Sequence, residues 1–314
     1  MSLLTRAEEL GDRIAKSLLT GSMVDLSRTL TLVMLLMSGP KGWYVRTPLI
    51  LLAIAGIILP AVRSSAGFWF AIAMSILAHD IVSWSEVDNH KWLMGWWCLA
   101  MALTALAPQK TQLKVLQTNA RLLLGLCFAF ATLWKLLSAD YMDGTFFKWE
   151  LLTDKRFRDA SHYVGEMEKS DLRKNRKLES ELKKSYRRDA EPLDSVTLNS
   201  VPRIDLLALG MTWWTIFIEG LVALFCLWPG DRIIAILRAQ VVLVFAATTY
   251  ILAPVLGFGW MVILMGLTQC PEQHRKLRAG FLLVLGLMYL YRLKLGPMFL
   301  KTAEVGFAEM ARFY

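Results

Sequence analysis

Charged residues are scarce in this 314-residue chain: Asp, Glu, Lys and Arg make up 19% against 55% apolar residues, and the mean hydropathy is +0.44. That balance excludes an ordinary soluble domain and points to a polytopic membrane protein. Cysteine is scarce too. Its four copies, Cys98, Cys127, Cys226 and Cys270, lie within or at the end of apolar segments, which excludes a disulfide framework and a CxxC metal site. Four histidines, His79, His90, His162 and His274, are scattered along the chain. A metal site needs three or four converging ligands, so none is expected. There is no Walker or Rossmann loop and no G-x-S-x-G elbow. The chain also lacks the inverted repeat and matched broken helices of a transporter. Its first 23 residues lack the basic start and unbroken apolar stretch of a signal peptide. The net charge of +9 calls for no nucleic-acid partner, because in a membrane chain the placement of Lys and Arg reports orientation instead.

What is present is a succession of apolar runs, at about 24–38, 47–62, 67–83, 92–107, 121–138, 206–228, 233–251, 255–270 and, more weakly, 279–295. They are continuous rather than alternating, which favours helices over a β-barrel. The expected fold is therefore an all-α polytopic membrane protein, a bundle of eight or nine transmembrane helices with one long charged extramembrane loop. Five regions follow. Residues 1–23, with Leu3, Leu4, Leu10, Ile14 and Leu18, read as an amphipathic segment lying on the membrane. Residues 24–138 form a first membrane half of about five helices, 139–205 the charged loop, 206–295 a second half of three or four helices, and 296–314 an interfacial tail.

Orientation follows from the loops. Residues 107–121 carry three basic side chains and no acidic one, so this loop and, by alternation, the N-terminus are expected in the cytoplasm. Residues 84–91 and 139–205 then lie outside. Within the long loop, 166–191 is dense in both charge signs and poor in apolar residues (Met167, Leu172, Leu178, Leu182). It reads as a charged helix or hairpin, or as partly disordered. This stretch and the C-terminal tail are the expected docking surfaces for partner membrane proteins; membrane lipids are the other partner.

Ionisable groups inside apolar spans cost about 2.5 to 3.5 kcal/mol each on insertion scales and are functional candidates by default. They are Asp25, Arg28, His79, Asp80, Lys135, Glu219 and Arg238. Asp25 and Arg28, three residues apart, can pair on one helix face. Arg238, near the cytoplasmic end of its run, can snorkel to lipid phosphates. Glu219 falls 13 residues into its run, roughly 20 Å deep, where it must be neutral, paired or facing water. Lys135 sits near the outer end of its run. It can snorkel, or it can be desolvated by Trp134, Phe130 and the surrounding helices into a neutral base. The depths put Lys135 and Glu219 about 15 Å apart along the membrane normal, so His90, at the outer mouth of the fourth run, is the expected neighbour of Lys135. Beside Asp88 or Asn89, His90 can orient a substrate or relay a proton.

The segments "VDNHKWLMGWWCLAMALT" and "WKLLSADYMDG" resemble two signatures of the horizontally transferred transmembrane (HTTM) family, whose best-known members are the vitamin K-dependent gamma-carboxylases. "FIEGLVALFCLWPGDR" and "VLGFGWMVILMG" resemble the acidic-residue helix and the aromatic-rich helix of that family's second half. The resemblance covers most of residues 20–270. It implies that Lys135 is the base that deprotonates a reduced quinone and that His90 assists it. Glu219 takes the family's acidic position, and Trp134, Asn89 and Trp260 join it as candidate substrate-binding residues. A quinone or quinol is the implied cofactor, and a bacterial inner membrane the implied location. Three departures stand out. Tyr141 replaces a usual Trp; a further family histidine falls at small residues such as Ala246; and the large extracytoplasmic substrate domain of the carboxylases has no counterpart, so protein carboxylation is not expected. The alternative reading is a non-catalytic membrane subunit that packs within a larger complex. Its support is the 12 tryptophans, the missing histidine and the charged 166–191 stretch.

Overall fold

The computed structural model describes residues 18–40, 42–187, 197–230, 232–252, 255–271 and 273–292. Helices run Met23–Ser38 (α1), Trp43–Ile58 (α2), Pro60–Arg63 (α3), Ala66–Val82 (α4), Asn89–Leu106 (α5), Gln112–Leu137 (α6), Ala139–Met142 (α7), Thr145–Thr153 (α8), Arg158–Tyr163 (α9), Lys169–Arg187 (α10), Pro202–Leu227 (α11), Arg232–Leu252 (α12), Leu256–Thr268 (α13) and Arg275–Arg292 (α14), with no strand among the described residues. The all-α class stands. Three segments are long and apolar enough to cross a bilayer, Gln109–Leu137, Pro202–Leu227 and Ile233–Tyr250, while α2, α4 and α13 are apolar but shorter. The expected eight or nine spans are thus not reached among the described residues, because several apolar runs end in helices below the roughly 20 residues that hydrocarbon thickness requires. Most of the expected amphipathic segment 1–23, all of the tail 296–314 and residues 188–191 of the charged stretch lie outside the described residues.

The chain forms two compact units, one of Met1–Gly125, Phe225–Tyr250 and Val255–Tyr314, the other of Leu126–Leu224 and Ile251–Pro254. In the first unit α4 packs on α5 and α1 on α2, and α13 touches α1, α5 and α14. Ten consecutive residues of α13, Gly259 to Thr268, are buried. A helix that is apolar on every side belongs in a core, which accounts for a run this apolar and this short. A hydrogen bond also ties α1 to α5: the buried Trp97 Nε1 donates to Thr31 Oγ1 at 2.9 Å. The expected Asp25–Arg28 pair forms at 3.6 Å. Arg238 does not snorkel. It is buried and donates to the Phe225 and Trp228 carbonyls at 2.8 and 3.1 Å and to Gln269 Oε1 at 3.2 Å. The last carbonyls of a helix have no partner within it; Arg238, with Arg121 donating to the Cys226 carbonyl at 3.2 Å, supplies them.

The second unit holds the long connection, and its described residues, 139–187 and 197–205, are more ordered than their charge suggests. Tyr141, Phe147, Leu151, Leu152, Phe157, Met167 and Leu172 form an apolar core with Ile204, Ala208 and Ile216 of α11. Each such large side chain taken from water contributes about 1.5 to 3 kcal/mol, which supports a folded module with its charges on the outside. Asn175 ties the return segment down: its side-chain amide donates to the Asn199 carbonyl at 2.8 Å and its Oδ1 accepts from Asn199 N at 2.9 Å. Gly144 caps α8 with φ +84, a left-handed conformation that suits glycine, so the turn after "WKLLSADYMD" depends on that residue.

Candidate functional site

Lys135 lies in the last turn of α6, and Glu219 lies in the second half of α11. Within the second unit these helices approach where Thr132 faces Gly220: a Cβ at Gly220 would lie 3.7 Å from Thr132 Cγ2, and small residues of this kind let helix backbones come close. There Lys135 Nζ donates to Glu219 Oε2 at 2.5 Å, with side-chain exposures of 17% and 10%. This corrects the expected 15 Å separation. The expected depth of Glu219 counts from an apolar run starting at 206, but α11 starts at Pro202 and carries Ile204, Ala208 and Ile216 into the module core. A good part of that run lies beside the module, which brings Glu219 level with the end of α6.

The cover over the amine differs from expectation as well. Trp134 is 77% exposed and Phe130 is exposed too. At 100° per residue neither shares the face of Lys135, so they do not desolvate it. Tyr141 does so instead, with Lys135 Nζ 5.4 Å from its ring centroid, within cation–π range. The Tyr141 hydroxyl bonds the side chain of Thr215; burial, and next the Glu219 carboxylate, push that hydroxyl above its ordinary range. The signal for Tyr141 was its place six residues after Lys135, where α6 has ended and a short turn can fold back over it.

The remaining candidates fall in the first unit. His90 is half-buried against α13: a Cβ at Gly257 would sit 2.7 Å from its Nε2, so the glycine of "GFGW" makes room for this ring. Asn89 is exposed at the start of α5. Trp260 is buried edge-on to Tyr289 with centroids 4.5 Å apart, its Nε1 without a hydrogen-bond partner. All four cysteines are free thiols, and no group of three His, Cys, Asp or Glu among the described residues is arranged to hold a metal ion. No protein-family model, curated protein or solved structure matches the chain.

Chemically, the second unit offers a dehydrated ammonium–carboxylate pair under a phenol. Its short hydrogen bond gives a direct proton path between nitrogen and oxygen.

Proposed function

We propose that this chain is an integral membrane protein of the HTTM type in which Lys135 removes a proton from the hydroxyl of a lipid-soluble acidic substrate, a reduced quinone being the nearest example. In this reading α2, α4 and α13 also lie at bilayer depth, approaching the eight or nine expected spans, and the N-terminus faces the cytoplasm of a bacterial inner membrane. The observation that carries it is the Lys135–Glu219 contact at 2.5 Å. Dehydrating two charges costs several kcal/mol per ion, and an apolar pair of the same volume would pack at least as well, so stability alone does not explain the pair. Glu219 takes the Nζ proton across the short hydrogen bond. The neutral amine then accepts the hydroxyl proton of the substrate, leaving the substrate anion beside a lysine ammonium. Tyr141 keeps water from the amine, and its hydroxyl stays protonated throughout. The reading rests on the second unit alone.

The same contact favours a second reading. A lysine already satisfied by a carboxylate can serve as a fixed crosslink between two helices, as a non-catalytic subunit of a membrane complex would use it. Mass spectrometry of protein gently extracted from its native membranes separates the two. The first reading expects one bound quinone or similar hydroxyl-bearing lipid, lost in the neutral double variant K135M/E219M, which leaves no orphan charge. Stoichiometric partner proteins without any such lipid would overturn it in favour of the second.

A further inference from the structure

Asp80, near the end of α4 in the first unit, is 1% exposed, and neither of its carboxylate oxygens has a hydrogen-bond partner. A buried carboxylate without partners is rare in a native fold and calls for an explanation. It lines a cavity of about 180 Å³ together with His79, Glu86, Asp88 and Lys91. Lys91 and His79 act on Asp80 through their fields without a hydrogen bond to it, while the Lys91 ammonium donates to the Ser38 carbonyl and, at 3.1 Å, to that of Gly39. Three carboxylates therefore face one committed cation, and the cavity favours a positive ligand. A metal ion is a poor fit, because no three acidic, His or Cys side chains among the described residues converge on one point.

The surroundings narrow the class of cation. A second cavity, of about 320 Å³ and lined by Val45, Pro48, Ala78 and Val82, shares Tyr44 and His79 with the first. The Tyr44 hydroxyl lies 3.5 Å from His79 Nδ1 at this junction. Acid-lined and apolar spaces thus meet, the shape of a site for a molecule with an ammonium at one end and a hydrocarbon at the other. Trp43 and Trp84, next in the chain to the lining residues Tyr44 and Ser83, are exposed, and exposed tryptophans gather at the headgroup level of a bilayer. We propose that this cavity binds the ammonium headgroup of an aminophospholipid, with Asp80 accepting hydrogen bonds from the ammonium, one acyl chain in the apolar cavity and the phosphate at the open rim.

A free small amine offers the same ammonium, and the test separates the two sources. The full-length protein in detergent is titrated with phosphatidylethanolamine, phosphatidylglycerol or ethanolamine and read by native mass spectrometry. Phosphatidylethanolamine is expected to bind about tenfold more tightly than phosphatidylglycerol, since a charge-assisted hydrogen bond to a buried carboxylate is lost with the glycerol headgroup. Asp80→Asn should abolish that preference. Ala78→Phe, at an exposed position, should fill the apolar cavity and also abolish lipid binding while leaving the carboxylate intact, which settles the matter if the Asp80 variant does not fold. Equal affinity for the two lipids would overturn the proposal. So would an undiminished preference in Asp80→Asn, or ethanolamine binding that is equally strong in wild type and Ala78→Phe.

Discussion

Glu219 and Asp80 are both carboxylates buried in apolar helices, yet a lysine lies 2.5 Å from the first and no hydrogen-bond donor reaches the second. The difference separates two ways in which a bundle of apolar helices tolerates a charge. At Glu219 the fold supplies the countercharge itself, so the site is complete and its chemistry is a proton moving between two side chains. At Asp80 the fold supplies only the field of His79 and Lys91 and opens a cavity beside the carboxylate, whose hydrogen bonds remain unmade.

The comparison can be broken most directly at the pair. Lys135→Met leaves Glu219 buried without its cation and should destabilise the protein by about 3 to 5 kcal/mol, with most of that loss recovered in K135M/E219M. Thermal unfolding in detergent micelles reads both. An unrecovered loss in the double variant would mean that Lys135 acts through packing rather than charge. The orphan should respond with the opposite sign: in lipid free of aminophospholipid, Asp80→Leu removes a carboxylate that nothing satisfies and should stabilise by about 1 to 3 kcal/mol. A loss of stability there would show that Asp80 has a partner within the protein.

A third carboxylate sharpens the contrast because it lies in the charged module of the second unit. Burial, and next a hydrogen bond with Asp154, push Glu150 up to about 7. The folded module thus prefers Glu150 protonated; the resulting stability is complete below its ordinary pKa near 4.5 and is lost as pH rises through about 7. Glu150→Gln, which keeps the neutral form, should leave stability at pH 4 unchanged and raise it by about 1 to 2 kcal/mol at pH 8. Hydrogen exchange of the α8 amides checks this. The smallest effect is expected at the cover: Tyr141→Phe loses the hydrogen bond with Thr215, at about 1 kcal/mol, and should leave the Lys135–Glu219 pair in place. A change in the pH dependence of lysine reactivity larger than that of wild type would show that the hydroxyl, not only the ring, holds the amine.

Much of this was legible in the sequence, residue by residue. Apolar runs marked the helices, and the cost of charge in hydrocarbon singled out Asp80, Lys135 and Glu219 without any structure. The Asp25–Arg28 pair was readable because its spacing is local. The Lys135–Glu219 contact was not, because it depends on where α11 begins, and that start is fixed by a module whose core residues, from Tyr141 to Leu172, are spread over several short helices without one continuous period. Arg238 was misread for a related reason: the carbonyls it caps belong to a helix whose end lies more than ten residues away in sequence. Asp80 was visible as a charge, but the lack of a partner is a tertiary fact.

Helix α11 is a single rod of 26 residues, about 39 Å at 1.5 Å per residue. The module core grips it at Ile204, Ala208 and Ile216, and Glu219 sits three residues past the last of these. One rod therefore carries both part of that apolar core and the buried carboxylate, so the packing of the module sets the height at which Glu219 meets Lys135.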